Sequence, residues 1–411
     1  MARRFFVMSL GLLLFCACEL IPQRLTDCSA SRPCAGGQLC DPETSRCVEL
    51  PDLGAEPDAD TAADLKAPEC TGNCLTCQLH SDCPSLVCDD YLRSGDGGTC
   101  IPAAEVVYVD NRGGACGSSG SGDAPASSLC TVAEALPRID GVRKRVIRLM
   151  ASPHDYGTLA VADRDVEIFG PAGQGGRAQF QGGGVTDAVV VSGSARVVIS
   201  GVDIMFGKAG LICQGNGATG LTLHKSSVRN CSDIGLLSSN CSLEIDRVLI
   251  ADNGNGALAI GGSQSYVVTS SYIVRNHSLA LPAIKLSSTA SGTFRFNTVA
   301  DNSSEVAAGV ECSSSGVTIS DSIVFRNSHL GSSQLQNCRL HNTAVGRGDS
   351  AIGIREDPMF IAVGGIDYGL EGGMMNNSCC IDRSSSSLRT DYFGNLRPRG
   401  KASDIGAHEA R

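Results

Sequence analysis

Two basic pairs stand on stretches otherwise rich in Val, Ile, Ser and Thr: His224 with Lys225, and Arg275 with His277. A guanidinium grips a carboxylate through its planar fork, and an imidazole near neutrality takes or gives a proton, so either pair could meet a sugar acid. A third group, His154-Asp155-Tyr156, falls in a loop and could bind or act. The acids that could hold a cation beside such a base are Asp246, Asp252, Asp301 and Asp321. They do not recur at one register, and at the level shared by Asp252 and Asp301 the intervening unit carries Arg275. Each of these basic pairs reads more readily as solvated surface groups. The sequence shows no phosphate-binding loop, nucleophile elbow or HExxH motif. With no Trp, 7 Tyr and 11 Phe, the chain has few aromatic platforms for sugars. A formal charge of −10 disfavours nucleic acid, and also disfavours polyanionic substrates unless a cation mediates.

The elements that must position these residues are visible as a repeat. Six times an apolar residue is followed five positions later by another: Ile199 and Ile204, Leu223 and Val228, Ile245 and Ile250, Val268 and Ile273, Phe294 and Val299, Ile319 and Val324. The units follow one another every 22 to 26 residues, which is too short for the common two-helix repeats. Their β-branched content suits strands, and Gly, Asn and Ser cluster between them, as at Gly215–Gly217 and Asn253–Gly256. One unit is therefore read as one coil of a parallel β-helix. A β-sandwich or barrel is the alternative, but it would not hold a fixed register between successive units. Three residues past the second apolar position stand Asn253, Asn276, Asn302 and Asn327, a spacing that predicts a stack of side-chain amides at a coil corner. Just before them, and one coil earlier, come Arg229, Asp252, Arg275, Asp301 and Arg326, whose alternating sign predicts ion pairing between coils.

The front of the chain predicts a compartment. Arg3-Arg4 precede an apolar run from Phe5 to Phe15, too short to span a bilayer and of the length of a secretory core. Twenty-one cysteines agree, because such a density persists as disulfides in an oxidising compartment. Cys28, Cys34, Cys40 and Cys47 form one cluster; Cys70, Cys74, Cys77, Cys83, Cys88 and Cys100 form a second. Cys74 and Cys77 have the spacing of zinc ligands, but disulfides are the expectation for an exported chain, and no metal is expected. Cys116 and Cys130 could clip the entry loop of the helix, and Cys312 with Cys338, one coil apart, could bridge neighbouring coils. The remaining coil and tail cysteines, Cys213, Cys231, Cys241, Cys379 and Cys380, leave an odd number and no choice among pairings. The acidic Pro/Ala-rich stretch from 48 to 69 reads as a flexible spacer reaching about 25 Å. The expected organisation is a signal peptide at 1–17, a Cys-rich module at 18–47, the spacer, and a second module at 70–104. A capped β-helix then runs over 105–345, with a C-terminal segment over 346–411.

Several strings carry a resemblance. Phe15-Cys16-Ala17-Cys18 resembles a bacterial lipoprotein signal, with Cys18 the lipidated residue that the resemblance implies. "VYVDNRGG" and "SLCTVAEAL" resemble the opening of bacterial surface proteins built on right-handed parallel β-helix repeats. "DPMF", "CID" and "DYFGNLRPRGKASDIGAHE" resemble the C-terminal segment of such proteins, including those called choice-of-anchor Q proteins. The resemblance implies an all-β chain: a right-handed parallel β-helix with an N-terminal cap, behind small disulfide-rich modules. It implies an exported protein of the outer membrane or surface of a Gram-negative bacterium, with periplasmic or secreted placement as the alternative. The expected role is a non-enzymatic surface meeting polysaccharide or a cell-surface protein, with the membrane reached through the N-terminal lipid and no nucleic acid bound. The wider pectate-lyase-like superfamily implies the rival, a lyase or hydrolase of acidic polysaccharide. No cofactor is expected otherwise; Ca²⁺ enters only with the lyase.

Overall fold

The computed structural model describes residues 38–41 and 46–49 and, from residue 77 to 410, all but a few short stretches. The chain divides into two units, Met1–Lys66 and Ala67–Arg411. In the first, strands Gln38–Asp41 and Arg46–Glu49 pair antiparallel, with Cys40 opposite Cys47. Cys18, Cys28, Cys34, Cys70 and Cys74 lie outside the described residues, as do the signal-like segment and the spacer.

The second unit is a right-handed parallel β-helix. Each coil contributes one strand to each of three parallel sheets, as in Leu211–Gly215 (sheet A), Gly220–His224 (sheet B) and Ser227–Arg229 (sheet C). Sheets A and C have eight strands and sheet B ten. The paired apolar residues of the sequence repeat are the inward columns on either side of one corner. Ile199, Leu223, Ile245, Val268, Phe294 and Ile319 lie in register on sheet B. Ile204, Val228, Ile250, Ile273, Val299 and Val324 do so on sheet C. All are at most 1% exposed, because the inward residues of each coil meet one another and those of the coils above and below.

The spacing of five has a backbone cause. Between the two columns one residue turns the chain by adopting the left-handed conformation: Gly201, Lys225, Arg247, Ser270, Phe296 and Asp321, with φ between 46° and 71°. For the residues other than glycine this costs on the order of 1 kcal/mol each, so the corner needs compensation. After Lys225, Ser270, Phe296 and Asp321 it comes from a small polar side chain on the following residue. The Ser226 and Ser271 hydroxyls accept from the N–H of Val202 and Val248 (3.2 and 3.1 Å), Asn297 Oδ1 from Ser271 N–H (3.0 Å), and Ser322 Oγ from Asn297 N–H (3.1 Å).

The corner after sheet C carries the longer amide stack. Asn276 Oδ1 accepts from the N–H and side-chain amide of Asn253 (3.2 and 2.8 Å), and Asn302 Oδ1 from those of Asn276 (2.9 Å each). Asn327 Oδ1 accepts from those of Asn302 (3.1 and 2.8 Å), and Gln334 Oε1 receives Asn327 at the far end. Each side-chain amide also donates to a sheet C carbonyl one coil back. Gly235 and Gly309 are needed beside this stack, since a Cβ there would come within 2.7 Å of Asn253 Nδ2 or Asn327 Cγ.

Two disulfides staple coil to coil at equivalent places. Cys213 and Cys312 are each the third residue of a sheet A strand, and each joins the cysteine immediately before the next coil's sheet B strand: Cys241 (Cα–Cα 6.0 Å) and Cys338 (5.1 Å). Cys116 joins Cys130 at the entry, where a Thr131/Glu134 capping box starts a single helical turn, Val132–Ala135. Val132 and Ala135 bury against Val107 and Val109 and cover the first coil. The second Cys-rich stretch is closed by Cys77–Cys88 and Cys83–Cys100. It packs on the helix itself: Val87 and Ile101 bury with Val106, Tyr108, Val146 and Phe169 on the outside of sheet B, and Tyr108 donates to the Ser85 carbonyl at 2.9 Å.

The C-terminal segment lies along the outside of sheet C. There the outward residues Ala251, Tyr272, Val274 and Ala300 meet Tyr368, Tyr392 and Ala407, and Ile323 and Ala344 meet Leu370, Cys379, Cys380 and Ile405. The residues of the "DYFGNLRPRGKASDIGAHE" string hold one another. Arg397 and Glu409 form a fully buried pair at 3.1 Å, Arg397 also donates to the carbonyls of Asp404 and Gly406, and Glu409 Oε2 accepts from Asp404 N–H. The Arg397 guanidinium sits 4.8 Å from the centre of the Phe296 ring.

Candidate functional site

The outward row at the end of sheet B gathers the most chemistry. Successive coils place Ser200, His224, Asp246, Thr269 and Arg295 side by side there. His224 is 1% exposed, with Nε2 3.1 Å from Asp246 Oδ2. The guanidinium of Arg247, the corner residue of the next coil, contacts the same His224 nitrogen and donates to Asp246 Oδ2 at 2.9 Å. Thr269 donates to the other carboxylate oxygen at 3.0 Å. Burial opposes ionisation of Asp246, but His224 and Arg247 outweigh it and hold the carboxyl at about 2. Burial pushes the His224 imidazole down, and the positive Arg247 adds to this against the pull of Asp246. The cluster is thus a neutral imidazole and a carboxylate tied together by an arginine. The carboxylate's lone pairs face protein donors, and the imidazole Nε2 is held between Asp246 and Arg247.

Of the sequence-predicted residues, His224 and Asp246 meet here; the others do not converge on this cluster. Lys225 turns the corner beside His224 with φ 46°. His154 and Asp155 are exposed on a loop: Asp155 Oδ1 accepts from Gly157 N–H at 2.9 Å, while Asn111 donates to both their carbonyls. Tyr156, beside them, is buried and donates to the Met150 carbonyl at 2.7 Å. Arg275 and His277 lie at the other corner, after sheet C. Arg275 makes a two-pronged bond to Asp252 (2.9 Å each) and lies 5.9 Å from the Tyr368 ring centre; His277 is exposed, with Nδ1 2.9 Å from Ser303 Oγ. Burial opposes but does not outweigh the Asp252 bond, which raises the Arg275 pKa.

The acids are dispersed in the same way. Asp252 is taken by Arg275, and Asp301 by Arg326 (2.8 and 2.7 Å) and by the Tyr368 hydroxyl (2.9 Å). Asp321 accepts from Asn342, Ser384 and Ser386 at 2.7–2.8 Å, beneath the C-terminal segment. The alternating charges therefore resolve into pairs in which each arginine reaches back one coil, with Arg229 joining Asp203 at 3.5 Å. Asp203 also binds Arg177 and Ser227, a cluster on the outside of sheet C that the sequence reading did not single out. Arg247 was missed too, because a charged residue gives no turn signal; its position immediately after the sheet B strand was the available clue. The sulfurs of Cys77, Cys83 and Cys88 lie close enough to suit a metal, but all three are consumed in disulfides.

The family model described as "Right handed beta helix region" matches residues 187–352. The crystal structure of pectate lyase Pel9A is similar in fold at 14% identity, with a TM-score of 0.47, covering 74% of this chain and 96% of that one. No curated protein matches the sequence.

Proposed function

We propose that this chain is an exported, lipid-anchored envelope protein of a Gram-negative bacterium whose β-helix is a non-enzymatic binding or structural surface. One observation carries the non-enzymatic part: Asp246, Asp252, Asp301 and Asp321, the coil acids a lyase or hydrolase would need, are split between two different corners and are each engaged by protein donors. Holding Ca²⁺ against a uronate requires several carboxylates converging with open lone pairs, and hydrolysis requires a pair facing one bond. What the coils offer instead is a rigid array of paired charges, Ser and Asn, suited to contact with a polysaccharide or a protein on a cell surface. Export fits the disulfides closed between coils and in the Cys-rich stretch, and Cys18 is the residue through which the lipid would be attached.

The reading is tested by fractionating cells that express the full chain or its Cys18→Ala variant, then offering the membranes an end-labelled polysaccharide. The expected result is wild type in the outer membrane, the variant released in soluble form, and any retained polymer recovered at full length. Wild type in the soluble fraction would remove the anchor, and shortened polymer would remove the non-enzymatic role.

A further inference from the structure

The two adjacent cysteines of the C-terminal segment form a site that neither the fold nor the proposed surface uses. Cys379 and Cys380 are 2% and 0% exposed and pack with Ile323, Ala344, Leu370 and Ile405 where the segment lies on sheet C. Their sulfurs are 3.1 Å apart. That is about 1 Å longer than the ~2.05 Å of a disulfide bond and closer than a merely packed pair needs to be. The surrounding turn is fixed from both sides: Ser378 donates to the Pro358 carbonyl at 2.7 Å and accepts from Cys380 N–H, while the Cys380 carbonyl accepts from Ile405 N–H at 2.9 Å.

We propose that Cys379 and Cys380 are oxidised to a vicinal disulfide that locks this turn onto sheet C. The oxidant is a disulfide, of the kind that must also close the two inter-coil bridges. A thiolate of one cysteine attacks the oxidant's disulfide, forming a mixed disulfide and expelling one thiolate. The neighbouring thiolate then attacks the protein-bound sulfur, forms the intramolecular S–S bond and expels the second. The two cysteines lose two electrons and two protons, and the oxidant leaves as two thiols. Burial pushes the Cys380 thiol well up, and Cys379 adds to this, so the packed turn disfavours the attacking thiolate; closure belongs to the folding chain. Adjacent Cα atoms are ~3.8 Å apart, against the ~4.4–6.8 Å of ordinary disulfides, so this bond is more readily reduced than the inter-coil pair.

The test uses the full chain, reduced in denaturant and refolded in oxidised glutathione until both inter-coil disulfides are complete. Thiols are then blocked with N-ethylmaleimide in denaturant, and the chain is cut with trypsin. The fragment Glu356–Arg383 contains these two cysteines and no other. The predicted fragment carries no maleimide, is lighter than the dithiol by two hydrogens, and takes two maleimides only after reduction. In a Cys379→Ser chain the same fragment takes one without reduction. Two maleimides on the unreduced wild-type fragment, or its linkage to another cysteine fragment, would overturn the proposal. Since the inter-coil disulfides are closed in the same sample, neither result bears on export or on the non-enzymatic reading.

Discussion

At the scale of single residues, neighbouring polar groups differ in what they contribute because they differ in burial. His224 and Asp246 are tied by an arginine in a mostly dry corner, so their ionisation is linked to folding. The Asp246 carboxyl is held at about 2 in the fold against 3.8 when free, so its stabilisation is complete above about pH 4 and is lost as pH falls toward 2. The depressed His224 adds stability above its free value of 6.5, which declines as pH falls below it. Stability, followed by unfolding midpoints from pH 8 to 2, should fall steeply below about pH 4, and Asp246→Asn should reduce that acidic loss by on the order of 2 kcal/mol, the depressed carboxyls of Asp110 and Asp123 contributing to the remainder. An unchanged profile in that variant would show that the pair is not coupled to folding. Arg275 with Asp252 is the contrast. Both side chains are about two-fifths exposed, so Arg275→Ala should cost no more than about 1 kcal/mol in a urea titration.

At the scale of the coil, the corners decide the fold. The inward columns were legible in the sequence because a solenoid interior tolerates only apolar side chains at a fixed register, and the Asn positions because one residue type recurs at one place. The Ser226, Ser271, Asn297 and Ser322 supports were not legible, since serine is common everywhere in this chain and the left-handed residues before them include Lys225, Ser270, Phe296 and Asp321. The Cys213–Cys241 staple was hidden because its separation of 28 departs from the 26 of Cys312–Cys338, although both follow an asparagine with positive φ, Asn240 and Asn337. The His224 imidazole reads from sequence as an outward base and is instead the most enclosed member of its row, because Arg247 folds over it. Replacing Asn276 by Ala would strand the N–H and side-chain amide of Asn253 and the Ile250 carbonyl inside the fold. At ~1–3 kcal/mol for each stranded group, the loss should be at least about 3 kcal/mol. A loss below 1 kcal/mol would mean that the stack is not what holds that corner.

At the scale of the whole second unit, its three outer faces are treated differently. Sheet C is apolar on its outside over the later coils and is covered by the C-terminal segment, whereas its earlier coils present Gln179, Gln181, Asp203 and Arg229. Sheet B is covered at its start by the Cys-rich stretch, and sheet A presents outward residues such as Ile212, Leu237 and Lys285. Deleting residues 356–411 should therefore uncover Tyr272, Val274 and Ile323 and give a chain that binds a hydrophobic dye and aggregates. A soluble, dye-negative truncation would show that the segment is dispensable to the helix. Sequence resemblance marks this segment without telling what it does; its Arg397 and Glu409 satisfy each other's charge where the segment lies on an apolar sheet.

Whether the coil acids are committed to the fold rather than to a substrate is decided by a turnover assay on the purified chain. Pectic, alginate and glycosaminoglycan polymers would be incubated with and without Ca²⁺, and unsaturated uronate absorbance and new reducing ends followed. No product is expected on any polymer in either condition. Calcium-dependent product that disappears in Asp246→Asn or Asp252→Asn would contradict that commitment and assign those acids to catalysis.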